Sequence, residues 1–210
     1  MITYDPTEIQ QAYVERQGLQ FPMLSDVGSE VIKRYGILNE TVAPDSRVYG
    51  IPHPGTFILD PDGRVVDRFF EQGYQQRNTV SSIAVKLGNP LSGTGVDGTR
   101  LSTDHLEAVV YPTDEAVAPG NRVSVVLDVT PKAEMHLYAP GSHAYQVILL
   151  RVDAQEGLVV HPVIYPESEI YHFEPLDERV EVYQQPFRII QDVTIPITPE
   201  TRERAQSGGT

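Results

Sequence analysis

The twelve residues from Gly88 to Thr99, Gly-Asn-Pro-Leu-Ser-Gly-Thr-Gly-Val-Asp-Gly-Thr, constrain this chain more than any other stretch. They carry four glycines, one proline and no apolar period, so neither a helix face nor a strand face can be drawn through them. Such composition reads as a flexible linker. With its flank to Asp104 it divides the chain into two parts of different pattern, residues 1–87 and 105–210.

The first part alternates strand-like and helix-like segments. Ile2 to Tyr4 reads as a short strand. Asp5 is positioned to cap a helix that Pro6 opens, with Glu8 three residues after the cap. Ile9, Tyr13 and Val14 give that helix an apolar stripe, and Gly18 ends it. Phe21 to Leu24 reads as a buried strand. Ser29 is expected to cap a second helix carrying Val31, Ile32 and Tyr35, which Gly36 ends. Thr56–Leu59 and Arg64–Phe70 read as the arms of a hairpin around Asp60-Pro61-Asp62-Gly63, where proline presets φ and glycine accepts a positive one. Asn78 to Leu87 is expected to be a helix that buries Val80, Ile83, Ala84 and Leu87.

The second part has β character. Strands are expected at Glu107–Tyr111, Val123–Val129, Gln146–Val152, Leu158–Tyr165, Val180–Tyr183 and Phe187–Ile195. Turns fall at Ala118-Pro119-Gly120-Asn121 and Ala139-Pro140-Gly141-Ser142. Short strands at such intervals predict an antiparallel sandwich.

Composition removes several function classes. The net charge of −13 opposes a phosphate backbone, and no Lys/Arg cluster offsets it, so nucleic acid is not an expected partner. No run approaches the roughly 20 apolar residues that span a bilayer, and the opening residues have neither the basic region nor the apolar core of a signal peptide. The 210 residues contain no cysteine, which excludes a thiolate nucleophile, a disulfide and a Cys-type zinc site within them.

Three pieces in the first part carry a resemblance: Phe21-Pro22-Met23-Leu24-Ser25-Asp26, Tyr35-Gly36-Ile37, and the run from Tyr49 to Val66 that contains Pro52-His53-Pro54-Gly55-Thr56-Phe57-Ile58-Leu59-Asp60. In order and spacing they resemble the C-terminal half of redoxins, the alkyl hydroperoxide reductase/thiol-specific antioxidant (peroxiredoxin) family. The resemblance covers about residues 1–87 and implies an α/β thioredoxin-like fold. It implies that Pro54 is a cis-proline whose loop faces the reactive cysteine and holds substrate, which makes His53, Pro54 and Gly55 the candidate substrate-binding residues. The residues alone do not justify a cis bond, since cis X–Pro bonds are a small minority; without the resemblance Pro54 reads as an ordinary trans proline opening a strand, and His53 as a surface-loop histidine.

The second part resembles the N-terminal domain of thiol:disulfide interchange proteins of the DsbD kind, an immunoglobulin-like sandwich. The matching pieces are Ala118-Pro119-Gly120, His136-Leu137-Tyr138, Tyr165-Pro166 and the run from Val182 to Ile190. Both families work through cysteines. By the redoxin resemblance the reactive cysteine would precede Ile2, and by the other the redox pair would follow Thr210. The expectation is therefore a gene fragment: an incomplete thioredoxin-like part without its first strands and active-site helix, and a sandwich without its last strands. The other reading is a short protein that completes its sheet as a homodimer.

Other chemistry has bland readings. The histidines His53, His105, His136, His143, His161 and His172 show no metal-ligand spacing, so no metal and no cofactor is expected. Glu167, Glu169, Glu174, Asp177 and Glu178 read as a solvated acidic loop. Tyr138, Tyr145, Tyr165, Tyr171 and Tyr183 read as sandwich packing or as a docking surface. There is no Gly-x-Ser-x-Gly elbow, and Gly93-Thr94-Gly95 has neither the strand nor the lysine of a phosphate loop. By resemblance, the parent function is thiol-based: peroxide reduction or thiol–disulfide exchange, with a peroxide or a thiol/disulfide protein as partner. No catalytic residue is assigned within this chain. A DsbD-like domain implies a bacterial envelope location for the parent. The competing class is a non-catalytic protein-binding module that uses the sandwich face and the Pro54 loop.

Overall fold

A computed structural model describes residues 1–73, 75–89, 97–201 and 203. The described residues form a mixed, strand-rich structure with few helices and several sheets, compatible with a thioredoxin-like part plus a β domain. The chain divides into two compact units, Met1–Gln75 and Gln76–Thr210.

In the first unit, β1 (Ile2–Thr3) pairs in parallel with β2 (Leu24–Ser25) across helix α1 (Thr7–Gln17). Pro6, not Asp5, holds the N-cap position and gives no side-chain cap. The stripe on α1 also differs from expectation. Ile9 is 58% and Tyr13 40% exposed, whereas Gln10 is buried. Gln10 Nε2 donates to Thr3 Oγ1 at 3.0 Å and to the Leu24 carbonyl at 2.9 Å, so a hydrogen-bonding amide, not an apolar seam, ties helix to strands. The expected strand at Phe21 is correspondingly shifted to Leu24–Ser25, and Phe21 is exposed.

Helix α2 (Glu30–Arg34) is capped from further back than the sequence suggested. The Asp26 carboxylate accepts from Val31 N at 3.2 Å and Ile32 N at 2.8 Å. Ser29, with φ +58°, makes no cap bond; its hydroxyl donates to the Gly50 carbonyl at 2.7 Å. The hairpin is as expected: β3 (Gly55–Leu59) pairs antiparallel with β4 (Val65–Phe70). At its turn Asp60 N donates to Arg64 O, Asp60 Oδ1 accepts from Arg64 N, and Gly63 has φ +80°. Ile32 is the one fully buried apolar side chain among the described residues of this unit, against buried Gln10, Asp26, Ser29, Asn39 and Glu71.

The second unit starts earlier than the expected linker. Strand β5 (Arg77–Asn78) runs parallel to β8 (Asn121–Pro131), and helix α3 (Val80–Lys86) follows it onto the same sheet. Thr79 caps α3 by accepting from Ser82 N at 3.1 Å and donates to Asp114 at 2.7 Å. The buried face of α3 is Ser82 and Val85; Val80 is 84% exposed and Leu87 37%. A polar network turns the helix this way. Ser82 meets Ser124 at 2.8 Å, Ser124 donates to Asp192 at 2.7 Å, and Lys86 donates to Asp192 at 2.6 Å. Val85 then packs with Val126, Ile190 and Tyr111.

The expected linker, 88–104, also contains a strand. β6 (Thr99–Ser102) pairs antiparallel with β7 (Leu106–Pro112), and Gly98 lets the chain lie against Val109, where a Cβ would approach within 2.5 Å. Residues 90–96 of that stretch lie outside the described residues. β7 pairs with β8, β8 with β13 (Phe187–Thr194), and β13 with β10 (Val159–Ile164). Both faces of β13 are buried, so its run is nearly continuous in apolar and hydrogen-bonded residues. A second antiparallel sheet orders β11 (Glu169–Phe173), β12 (Glu178–Tyr183) and β9 (Leu137–Tyr138).

Gln146–Val152 is not a strand. Its amides go elsewhere: Ile148 N donates to Tyr138 O, and Val152 N donates to the Gln191 side chain at 2.7 Å. The acidic stretch, read as a loop, contains β11 and opens β12.

Candidate functional site

The candidate residues His53, Pro54 and Gly55 form the entry to β3. A bridge between Leu38 and Pro52, with Asn39 N donating to Ile51 O and His53 N to Ile37 O at 2.7 Å, lays the loop antiparallel to residues 37–39. On its other side Glu71 N donates to Pro54 O at 2.9 Å, at the end of β4. The loop is therefore held by backbone hydrogen bonds on both flanks. No peptide bond among the described residues is cis, so Pro54 is trans. This corrects the cis expectation that came with the resemblance. The trans form is the lower-energy one for an X–Pro bond, and it continues the extended path from Pro52 into β3.

Gly55 is required by packing. It lies opposite Phe70, and a Cβ there would fall 2.3 Å from the ring. Phe70 in turn contacts Phe57 at 4.8 Å between centroids, and Phe57 contacts Tyr35 at 5.8 Å. The role thus evident for Gly55 is to seat an aromatic ring. His53 differs: its Nδ1 is buried without a hydrogen-bond partner, alone in this among the described residues. A buried unpaired nitrogen costs about 1–3 kcal/mol. The three candidates adjoin by sequence. Among the described residues there is no cysteine and no cluster of His, Asp and Glu that could hold a metal.

A second cluster lies in the other unit. Tyr138 stacks on Tyr145 with centroids 4.3 Å apart and planes 7° from parallel. His136 contacts Tyr138 and Tyr171 at 5.3 and 4.9 Å, and His143 contacts Tyr138 and Tyr145 at 5.6 and 5.7 Å. The Tyr145 hydroxyl donates to Glu178 at 2.7 Å, and that bond raises the phenol's pKa above its ordinary value. His143 Nδ1 accepts from Tyr145 N at 3.2 Å, so Nε2 carries the proton and donates to Ala139 O at 2.9 Å. Of the five tyrosines singled out in the sequence, three meet here. Tyr165 and Tyr183 instead bind the Ile148 and Pro166 carbonyls. The signal for the grouping was the two-residue spacing of His136 with Tyr138 and of His143 with Tyr145.

Residues 1–68 match the model of the AhpC/TSA family. The match spans fewer than half of the 210 residues and takes in the Pro54 loop and most of the hairpin; it ties that stretch to a thiol-redox family. No curated protein and no solved structure matches the chain. No helix among the described residues is long and apolar enough to cross a membrane.

Proposed function

We propose that this chain works in a thiol-based redox system, peroxide reduction or thiol–disulfide exchange, and contributes the part of such a system that carries no thiol. The observation that carries this reading is the AhpC/TSA match over residues 1–68. The loop His53–Gly55 falls within that match and is held on both flanks by backbone hydrogen bonds. Since the 210 residues hold no cysteine, the reacting sulfur belongs to another polypeptide segment or another molecule. The role of His53, Pro54 and Gly55 is then to hold substrate or partner backbone, not to react. The second unit, with its two sheets, is compatible with the DsbD-like, immunoglobulin-like sandwich, which in this reading docks a partner whose own thiols exchange the electrons.

The test has two parts. Purified chain is assayed for thiol-dependent peroxide consumption and disulfide reduction, with none expected; turnover by the chain alone would overturn the assignment of the sulfur to another molecule. Reduced and oxidised thioredoxin are then titrated into isotope-labelled chain. Shifts at His53–Gly55 are expected, and their absence in both titrations would remove the loop from the proposal.

One observation favours a second reading, a non-catalytic protein-binding module. It is the absence of cysteine combined with a half-exposed aromatic face on the second unit. Co-purification of a stoichiometric partner with no thiol chemistry between the two would support it.

A further inference from the structure

Strand β11 ends the sheet β11–β12–β9, and its outer edge has no strand partner among the described residues. Register fixes what this edge presents. Glu169 lies opposite Val182, Tyr171 opposite Val180, and Phe173 opposite Glu178. Directly opposed residues share a face, so Glu169, Tyr171, Phe173 and Glu178 all lie on the face that carries Tyr138, itself opposite Val182. The aromatic cluster covers that face: Tyr171 reaches Tyr138 through His136, and Tyr145 bridges from Tyr138 to Glu178. The opposite face of β11 presents Ile170, which is 62% exposed, and His172; Arg179, the one nearby cation on β12, falls on that opposite face.

We propose that this edge accepts an extended, cationic strand from a partner protein. That reading deepens the binding-module alternative at its sandwich face. An added strand takes its affinity from backbone hydrogen bonds and its specificity from side chains that alternate between faces. Here one face offers two carboxylates among aromatic rings and the other an exposed isoleucine. A strand with Lys or Arg at every second position and aliphatic residues between them meets both: cations lie over Tyr171 and Phe173 and beside Glu169, and aliphatic groups cover Ile170. A second copy of this chain is disfavoured as the occupant. Two copies paired edge to edge would bring together two stretches that each carry Glu167, Glu169, Glu174, Asp177 and Glu178, and like charges across a strand pairing destabilise it.

The test uses the full chain and three octapeptides: alternating Lys-Val, alternating Glu-Val, and Lys-Val N-methylated at alternate residues. The Lys-Val peptide is expected to bind at least about tenfold tighter than the Glu-Val one, with affinity falling as salt rises. Backbone methylation is expected to abolish the binding, and the amides of 169–173 are expected to gain hydrogen-exchange protection. Glu169→Lys, an exposed change, is expected to weaken the Lys-Val peptide about tenfold and leave the fold unaltered by circular dichroism. Equal binding of the methylated peptide would reduce the effect to simple ion pairing and overturn the proposal. Self-association that protects 169–173 would overturn it in favour of a second copy. A natural partner that protects other residues would overturn it too, while leaving the binding-module reading standing.

Discussion

Lys86 Nζ lies 2.6 Å from Asp192 Oδ2, an ion pair between side chains that are only 11% and 7% exposed and 106 residues apart in sequence. It ties helix α3 to strand β13. Asp192 accepts from Ser124 with its other oxygen, and Lys86 also donates to Asn78. A buried pair seldom stabilises more than an apolar substitute would, yet removing one partner leaves the other charge uncompensated.

Replacing Lys86 by methionine should therefore destabilise the second unit by about 3 kcal/mol, because Asp192 keeps only the Ser124 hydroxyl. Replacing both Lys86 and Asp192 by apolar residues should recover part of that loss. Urea denaturation of the single and double variants, read by far-ultraviolet circular dichroism, checks the non-additivity.

His161 titrates below the ordinary histidine value, chiefly because it is partly buried and further because of the Arg122 cation; its Nε2 lies 2.8 Å from Thr194 Oγ1. The folded state thus binds this proton less tightly than the unfolded state. Its contribution is fully present above the unfolded value of about 6.5 and is lost as pH falls from there through the folded value. His161→Gln should flatten the decline in melting temperature between about pH 7 and pH 5 relative to the parent chain.

Tyr111 is pushed up to about 12, first by burial and then by donating its hydroxyl to Asp128 at 2.9 Å. Arg188 grips the same carboxylate at 2.6 and 2.8 Å. The folded state holds this proton more tightly, so the contribution is present below the unfolded value of about 10 and disappears as pH rises through the folded one. Ultraviolet titration should find the Tyr111 phenol among those that ionise late, with Tyr145, Tyr165 and Tyr183 also raised. Asp128→Asn should lower its midpoint while burial still holds it above the exposed tyrosines.

Gly55→Ala should displace the Phe70 ring, since the new methyl would sit 2.3 Å from it. A cost of about 1–3 kcal/mol to the hairpin is expected from overpacking, with accelerated exchange of the Glu71 amide that bonds Pro54. Phe70→Leu in the same chain should restore part of the protection.

Local chemistry explains which elements were legible in the sequence. The turn Asp60-Pro61-Asp62-Gly63 specifies its own hairpin, and β7, β8, β12 and β13 follow from β-branched runs. Burial on α1 and α3 was not legible from apolar spacing, because Gln10 and the Ser82–Ser124–Asp192 network turn these helices by hydrogen bonds to residues distant in sequence. Strands β6 and β11 were hidden for a related reason. Thr99–Ser102 and Glu169–Phe173 are strands because β7 and β12 lie beside them, in stretches whose glycines or acids read as loop. At the candidate site the order of residues around Pro54 was legible as a redoxin-like motif, and residues 1–68 do match that family. The trans bond and the seating of Phe70 on Gly55 needed the fold.

The buried residues of the first unit have a thermal consequence. Ile32 is its one fully buried apolar side chain among the described residues, and amide, carboxylate and hydroxyl groups take the remaining interior positions. Exposing apolar surface raises heat capacity on unfolding and exposing polar surface lowers it. The first unit should then melt with an unusually small heat-capacity increment, giving it a flat stability curve. Cooling would weaken it little, while its steepest losses would come from agents that compete for hydrogen bonds.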